Sequence, residues 1–316
     1  MNNSIAVVVA ASAVVYGTPL LYAALGELLA ERSGVLNLGV EGMMLVGAVM
    51  GFWAVQRGLA LPLAVLVAAV AGAGMAMIHA FLVVTLRANQ IVSGLALTIF
   101  AGAAGLSSYL GNDLGLADSP AKHSFEPVDV FGWGDLPVVG PIFFEQTWLV
   151  YASWVMVVAV GFYLSRTRLG LELRSVGESP AAADAMGINV TVYRYAHTMI
   201  GGAFAGVAGA TFTLAITPQW VDGITGGAGW IAIALVIFAF WRADLCLVGA
   251  YLFGAFQALP FAFQARRILH QVPPELFQAL PYVATVVALA LVSSSGARRR
   301  LGAPGALGVP YVREER

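Results

Sequence analysis

Glu27, Asn37 and Glu41 stand in an otherwise apolar stretch, GELLAERSGVLNLGVEGMMLVGA (26–48). Ionisable and amide side chains at membrane depth are costly. They face an aqueous path, a partner group or freed backbone. Asn37 and Glu41 are four residues apart, a spacing that places both on one helix face. Two roles are open: lining a solute pathway, or bracing a broken helix. The flanking Gly34, Gly39 and Gly42 favour the brace. A second polar set, Asn89, Gln90 and Ser93, opens another apolar run, where Gln90, Ser93 and Leu97 share a face. They could hydrogen-bond a polar solute, or cap the helix and bond a neighbour, and the second reading is slightly favoured. His79 and His197 are single polar residues in or near apolar runs, suited to helix-to-helix hydrogen bonds more than to a proton relay.

A third set is polar throughout. RTRLGLELRSVGESPAAADAMGINVTVYR (166–194) cannot span a bilayer. After Glu178 it carries a short helix signal. Ser179 can cap, Pro180 suits the first helical position, Ala181, Ala182, Ala183, Asp184 and Ala185 follow, and Gly187 stops it. Such a helix has a small cross-section and little core of its own. It fits a place between a membrane bundle and a docking partner, with an ordinary connector as an equal alternative.

Several chemistries are excluded. The only lysine, Lys122, sits in AKHSF without the glycine frame of a phosphate-binding loop, so the chain lacks that route to ATP hydrolysis. One cysteine, Cys246, permits no internal disulfide and no thiolate metal site. His79, His123, His197 and His270 are dispersed, so no catalytic or metal site is expected. A net charge of −1 gives no basic field for nucleic acid.

The elements that must position these residues are membrane helices. Of 316 residues, 59% are hydrophobic and 10% charged, with mean hydropathy +0.84; soluble domains carry ~25% charged residues. The fold class expected is all-α, a polytopic integral membrane protein in the lipid bilayer. A core of ~30 Å needs ~20 apolar residues per helix. Candidate spans are 5–29, 36–56, 59–86, 91–110, 147–164, 195–216, 227–241, 245–263 and 276–292. That makes about nine, in a range of eight to ten, with the second possibly broken or re-entrant. The first is read as a retained helix, since its start lacks the basic residues of a signal peptide. Gly202, Gly206 and Ala210 repeat every four residues beside Gly209, a helix-packing pattern. Trp230 and Trp241 bracket the seventh span as interfacial anchors.

Arginine placement sets orientation. The 165–194 loop holds Arg166, Arg168, Arg174 and Arg194, and a polar tail at 293–316 holds Arg298, Arg299, Arg300, Arg313 and Arg316. Both are expected in the cytoplasm. The 111–146 loop holds six acids against Lys122 and is expected outside. Threading the spans puts the N-terminus outside and the C-terminus inside; Arg57, Arg266 and Arg267 count against this. Residues 1–292 form one membrane domain, and the tail is expected to be poorly ordered.

The segments ERSGVLNLGVEGMMLVGA (31–48), NQIVSGLALTIF (89–100), LRSVGESPAAADAMGI (173–188), GGAFAGVAGA (201–210) and GWIAIALVIFAFW (229–241) run in order across most of the chain. With them the sequence resembles the membrane permeases of bacterial ATP-binding-cassette importers, in the branch serving ribose-like sugars, branched-chain amino acids and nucleosides. It is most similar to the shorter permease of nucleoside-type importers with binding partners of the basic membrane protein type. One departure lies at residues 239–244, AFWRAD, where such permeases commonly continue with a glycine and a basic-polar turn ending in proline.

The resemblance implies a transport subunit in the bacterial inner membrane, with no cofactor of its own. Residues 178–187 would be the coupling helix, docked on a separate cytoplasmic ATPase that uses the ATP. A second permease subunit would complete the pathway, and an extracytoplasmic solute-binding protein would deliver a nucleoside. A simple, ribose-like sugar is the alternative solute. A secondary ion-coupled transporter is the alternative of another class, disfavoured because acids are so scarce in the spans.

Overall fold

The computed structural model describes residues 4–265 apart from 103 and 118, isolated positions between 276 and 290, and residues 302–313. The first half runs α1 (Ile5–Arg32), α2 (Val40–Gln56), α3 (Leu61–Ala80), α4 (Gln90–Ala101) and α5 (Leu106–Asp113). Then follow α6 (Trp148–Arg166), α7 (Arg168–Glu178), α8 (Pro180–Ala185), α9 (Val190–Thr211), α10 (Ala228–Phe238) and α11 (Ala243–Ala265). Wide π turns extend α3 through Phe81–Thr85 and α9 through Phe212–Ile216. Two two-residue strands, β1 (Val128–Asp129) and β2 (Glu145–Gln146), pair antiparallel in the long loop after α5.

Six helical runs among the described residues are long and apolar enough to cross a membrane, and α2 and α10 are shorter apolar helices. The chain is a polytopic membrane protein. α1 and α9 form its centre. α1 packs on α9, α10 and α11, and α9 also packs on α2 and α3. From Gly17 to Glu31, α1 is buried on every side, as expected of a helix apolar all round.

Glycine lets these backbones touch. A Cβ on Gly202 would lie 2.5 Å from the Gly72 carbonyl oxygen, one on Gly206 2.1 Å from that of Ala68, and one on Gly209 1.8 Å from that of Met44. Gly202 and Gly206 thus meet α3, and Gly209 meets α2. We predict that Gly209→Ala sharply lowers the folded protein recovered from membranes. Gly74→Ala, where nothing lies within 4 Å, should leave recovery unchanged in the same fluorescence-detected chromatography. Equal recovery of the two variants would contradict this packing.

Three expected spans differ in form. The second becomes helical only at Val40, after a non-helical link at residues 33–39. The fourth is interrupted between α4 and α5. The turn there is tight: a Cβ on Gly105 would lie 2.1 Å from the Phe100 carbonyl oxygen. The seventh, expected over 227–241, is helical only over Ala228–Phe238 because the chain turns at residues 239–242. The expected span at 276–292 lies outside the described residues apart from isolated positions, and Arg266, Arg267 and Arg298–Arg300 also lie outside them.

The ends of the bundle are distinct. At one, Gln56 and Lys122 tie α2 to the long loop: Gln56 Nε2 donates to the Pro120 carbonyl (2.7 Å) and Lys122 Nζ to that of Gln56 (2.6 Å). At the other, α7 and α8 lie beside the end of α1, covered by residues 302–313. The expectation of a poorly ordered tail is corrected for that segment. Backbone N–H groups of Ala306 and Gly308 donate to the carbonyls of Gly177 (2.8 Å) and Gly34 (3.1 Å).

Candidate functional site: a braced helix break and an exposed end helix

The link at 33–39 frees backbone polar groups inside the bundle. Such groups need partners where lipid offers none, and side chains of three helices supply them. Glu27 Oε1 accepts from the Asn37 N–H (3.0 Å) and Gln90 Oε1 from the Leu36 N–H (2.7 Å). Thr98 Oγ1 donates to the Leu38 carbonyl (2.9 Å). His79 places Nε2 3.1 Å from the Leu36 carbonyl oxygen and Nδ1 2.9 Å from Ser93 Oγ. Asn37 turns inward, its Oδ1 accepting from the Gly39 N–H (3.0 Å). Asn37 is therefore in the link, not on a helix face with Glu41; its glycine neighbours end the helix first. Asn89 sits apart as the cap of α4, its Oδ1 accepting from the Ile91 and Val92 N–H groups.

Glu41, in the first turn of α2, caps a different helix. Its carboxylate accepts from Thr225 Oγ1 (2.6 Å) and from the N–H groups of Gly227 (2.9 Å) and Gly229 (2.7 Å). These lie at the start of α10, whose cap residue Gly227 has φ +85°. A helix start leaves orphan N–H donors and a positive dipole end, both suited to a carboxylate. Gly229 permits the approach, since a Cβ there would lie 2.6 Å from the Glu41 backbone.

Glu31 was not singled out in the sequence, yet it is as buried as Glu27. Its signal was the four-residue spacing from Glu27. The Trp241 indole N–H donates to Glu31, and Arg32 Nη2 donates to the Trp241 carbonyl (2.8 Å). Trp241 is thus buried in protein, which corrects its reading as an interfacial anchor. The corner between α10 and α11 holds Phe240 and Trp241 at φ +50° and +52°. Left-handed backbone costs ~1–2 kcal/mol per non-glycine residue, so these bonds hold a strained turn.

At the other site, α7 presents Leu173 and Val176 inward, and α8 packs Ala183 against Val176 and Val190. Thr167 caps α7 by accepting from the Gly170 N–H (3.0 Å). The Tyr193 hydroxyl and the Arg168 guanidinium both donate to Glu172 and hold its carboxyl below the usual range. α8 runs from Pro180 and ends before Gly187 at φ +84°. Ser179 precedes it but makes no side-chain capping bond, so that expectation is corrected; its φ of −150° and ψ of 89° lie away from the β-region backbone of a usual cap. Glu178 and Asp184 are engaged with residues 302–313: Glu178 Oε2 accepts from the Gly305 N–H (3.1 Å), Asp184 from the Tyr311 hydroxyl (2.9 Å). Ala181, Ala182 and Ala185 are exposed, and Met186 is 82% exposed. An apolar side chain so bare, on a helix this small, is the feature sequence reading missed.

Among the described residues no three His, Cys, Asp or Glu side chains gather to hold a metal. What the bundle offers is a set of membrane helices with a polar-braced break inside and a bare knob at one end, the construction of a transport component. Comparison with known proteins gives the family. Residues 9–289 match the family described as "Branched-chain amino acid transport system / permease component", and the chain belongs to it. It is 41% identical to the "Putative glucose ABC transporter permease protein" of Haloferax volcanii, over 94% of this chain and 95% of that one. It is 36% identical to the guanosine ABC transporter permease protein of Bacillus subtilis, over 98% of both. It is 34% identical to the nucleoside ABC transporter permease protein of Lactococcus lactis subsp. cremoris, again over 98% of both. The chain is a permease subunit, a transport component and not an enzyme.

Proposed function

We propose that this chain, paired with a second permease, carries a nucleoside through the cell membrane. In this reading a separate ATPase drives it through α8, and an extracytoplasmic binding protein delivers the solute. The observation that carries the reading is the exposed face of α8 and Met186 beside the arginine-rich end. A small, apolar projection suits a groove on a partner. Nine crossings, with the N-terminus outside and α7, α8 and the 302–313 segment in the cytoplasm, fit the arginine bias. Reporter fusions at Asp135 and Ser179 should report opposite compartments, and a shared compartment would overturn this orientation.

The nucleoside reading is supported by the two relatives named for guanosine and nucleosides, each similar from end to end. A sugar is the second reading, favoured by the relative named for glucose. Reconstitution of the permease pair with its ATPase and binding protein in liposomes tests both. Labelled guanosine should accumulate only with ATP, and excess glucose should not compete. Competition by glucose would favour the sugar. Accumulation by this chain alone under a proton gradient would replace the reading with ion-coupled transport.

A further inference from the structure

Residues 302–313 are more than an appendage to the arginine-rich end. They contact three elements at once: the end of α1, the α7–α8 turn and the start of α9. Arg32 Nη1 donates to the Gly302 carbonyl (3.2 Å), and the Gly308 N–H donates to that of Gly34 (3.1 Å), just past α1. The Ala306 N–H donates to the Gly177 carbonyl (2.8 Å) and the Gly305 N–H to Glu178 Oε2 (3.1 Å), at the end of α7. Asp184 of α8 accepts from the Tyr311 hydroxyl (2.9 Å) and lies 3.4 Å from Arg313 Nε. Backbone bonds fix the register of the segment, and Asp184 joins α8 to it.

A second observation is independent of α8. Arg194, in the second turn of α9, is 2% exposed. Its Nη1 donates to the Val309 carbonyl (3.1 Å), while Nε and Nη2 have no partner among the described residues. A buried guanidinium needs acceptors, because burying a charge without them is strongly unfavourable. The Val309 carbonyl is its acceptor among the described residues, so the start of α9 and the segment are bound to each other.

We infer that residues 302–313 form a strap that fixes α8 to the ends of α1 and α9, so that displacement of α8 passes to the two central helices of the bundle. The inference rests on the reading of α8 as the coupling helix. Tyr311 and Arg313 are positioning residues in it. Without the strap α8 keeps its short packing on Val176 of α7 and Val190 at the start of α9 but loses its tie to the end of α1. A motor could then move α8 without driving α1.

The test uses the complete importer in proteoliposomes and reads solute moved per ATP hydrolysed. A role in folding alone would lower uptake and hydrolysis together and leave this ratio intact. Deletion of residues 302–316 is expected to lower the ratio at least fivefold, with hydrolysis continuing. The full-length Tyr311→Phe, Arg313→Gln double variant, which removes the Tyr311 hydroxyl bond and the Arg313 ion pair to Asp184, is expected to lower it about two- to threefold. Should the deletion fail to assemble, the double variant decides. A native ratio in the double variant overturns the strap, whether or not total uptake falls. If Met186→Asp abolishes uptake while the double variant keeps a native ratio, the strap fails alone. Normal uptake in Met186→Asp would remove the coupling-helix reading beneath it.

Discussion

Uptake is expected to fall at least tenfold in Met186→Asp and in Ala182→Arg, with the protein present in the membrane at its usual amount. Both side chains point away from the bundle. Substitutions at such surface positions usually change stability by less than ~0.5 kcal/mol. A charge placed at the centre of an interface is desolvated without a partner, and that costs on the order of 2–5 kcal/mol of binding. This corresponds to a loss of ATPase association of about thirty-fold or more. Co-purification of the ATPase with each variant measures the association, and labelled-solute uptake measures the consequence. Ala183→Arg would be a poor test, because Ala183 is buried against Val176 and Val190 and its loss would confound folding with docking. Full uptake in both exposed variants would show that α8 is only a connector.

Glu41→Ala should produce the largest loss of stability among single substitutions in the helix break. It removes the acceptor of three donors, Thr225 Oγ1 and the N–H groups of Gly227 and Gly229. A buried donor left without an acceptor costs ~1–3 kcal/mol. Three of them rival a net stability of ~5–15 kcal/mol. Glu41→Gln keeps one acceptor oxygen but turns an amide NH2 toward donors, and should be intermediate. Thr225→Val removes a single donor and should be mildest. Thermal unfolding in detergent should rank them in that order. A native midpoint for Glu41→Ala would remove the brace. A native midpoint with lost uptake would instead place Glu41 on the solute pathway.

Glu41 also shows where reading along the chain stops. That a carboxylate beside Gly39 and Gly42 in an apolar run must have a partner follows from the cost of burying it. That the partner is the start of α10, far along the chain, does not. The same holds for Gln90, legible as a polar residue opening an apolar run but not as the acceptor for Leu36, and for Glu31, unremarked until Trp241 is folded onto it. The signals for α8 are local. Proline at its first position and Gly187 at its end act within one turn, so its limits could be read directly. Ser179 marks how far such local reading reaches: the residue type suits a cap, but the backbone around it did not deliver the bond.

By itself the sequence determined that the chain lives in lipid, that it is helical, where its small polar-loop helix begins and ends, and that Gly202, Gly206 and Gly209 lie at close contacts. Hydropathy, capping and small-residue spacing act over a few neighbouring residues, and each is complete within its own segment. Only the tertiary structure decided which buried polar group answers which, and that residues 302–313 lie across the α7–α8 turn instead of hanging free. Hydrogen bonds between distant segments depend on how the helices are brought together, and no short stretch of sequence carries that information.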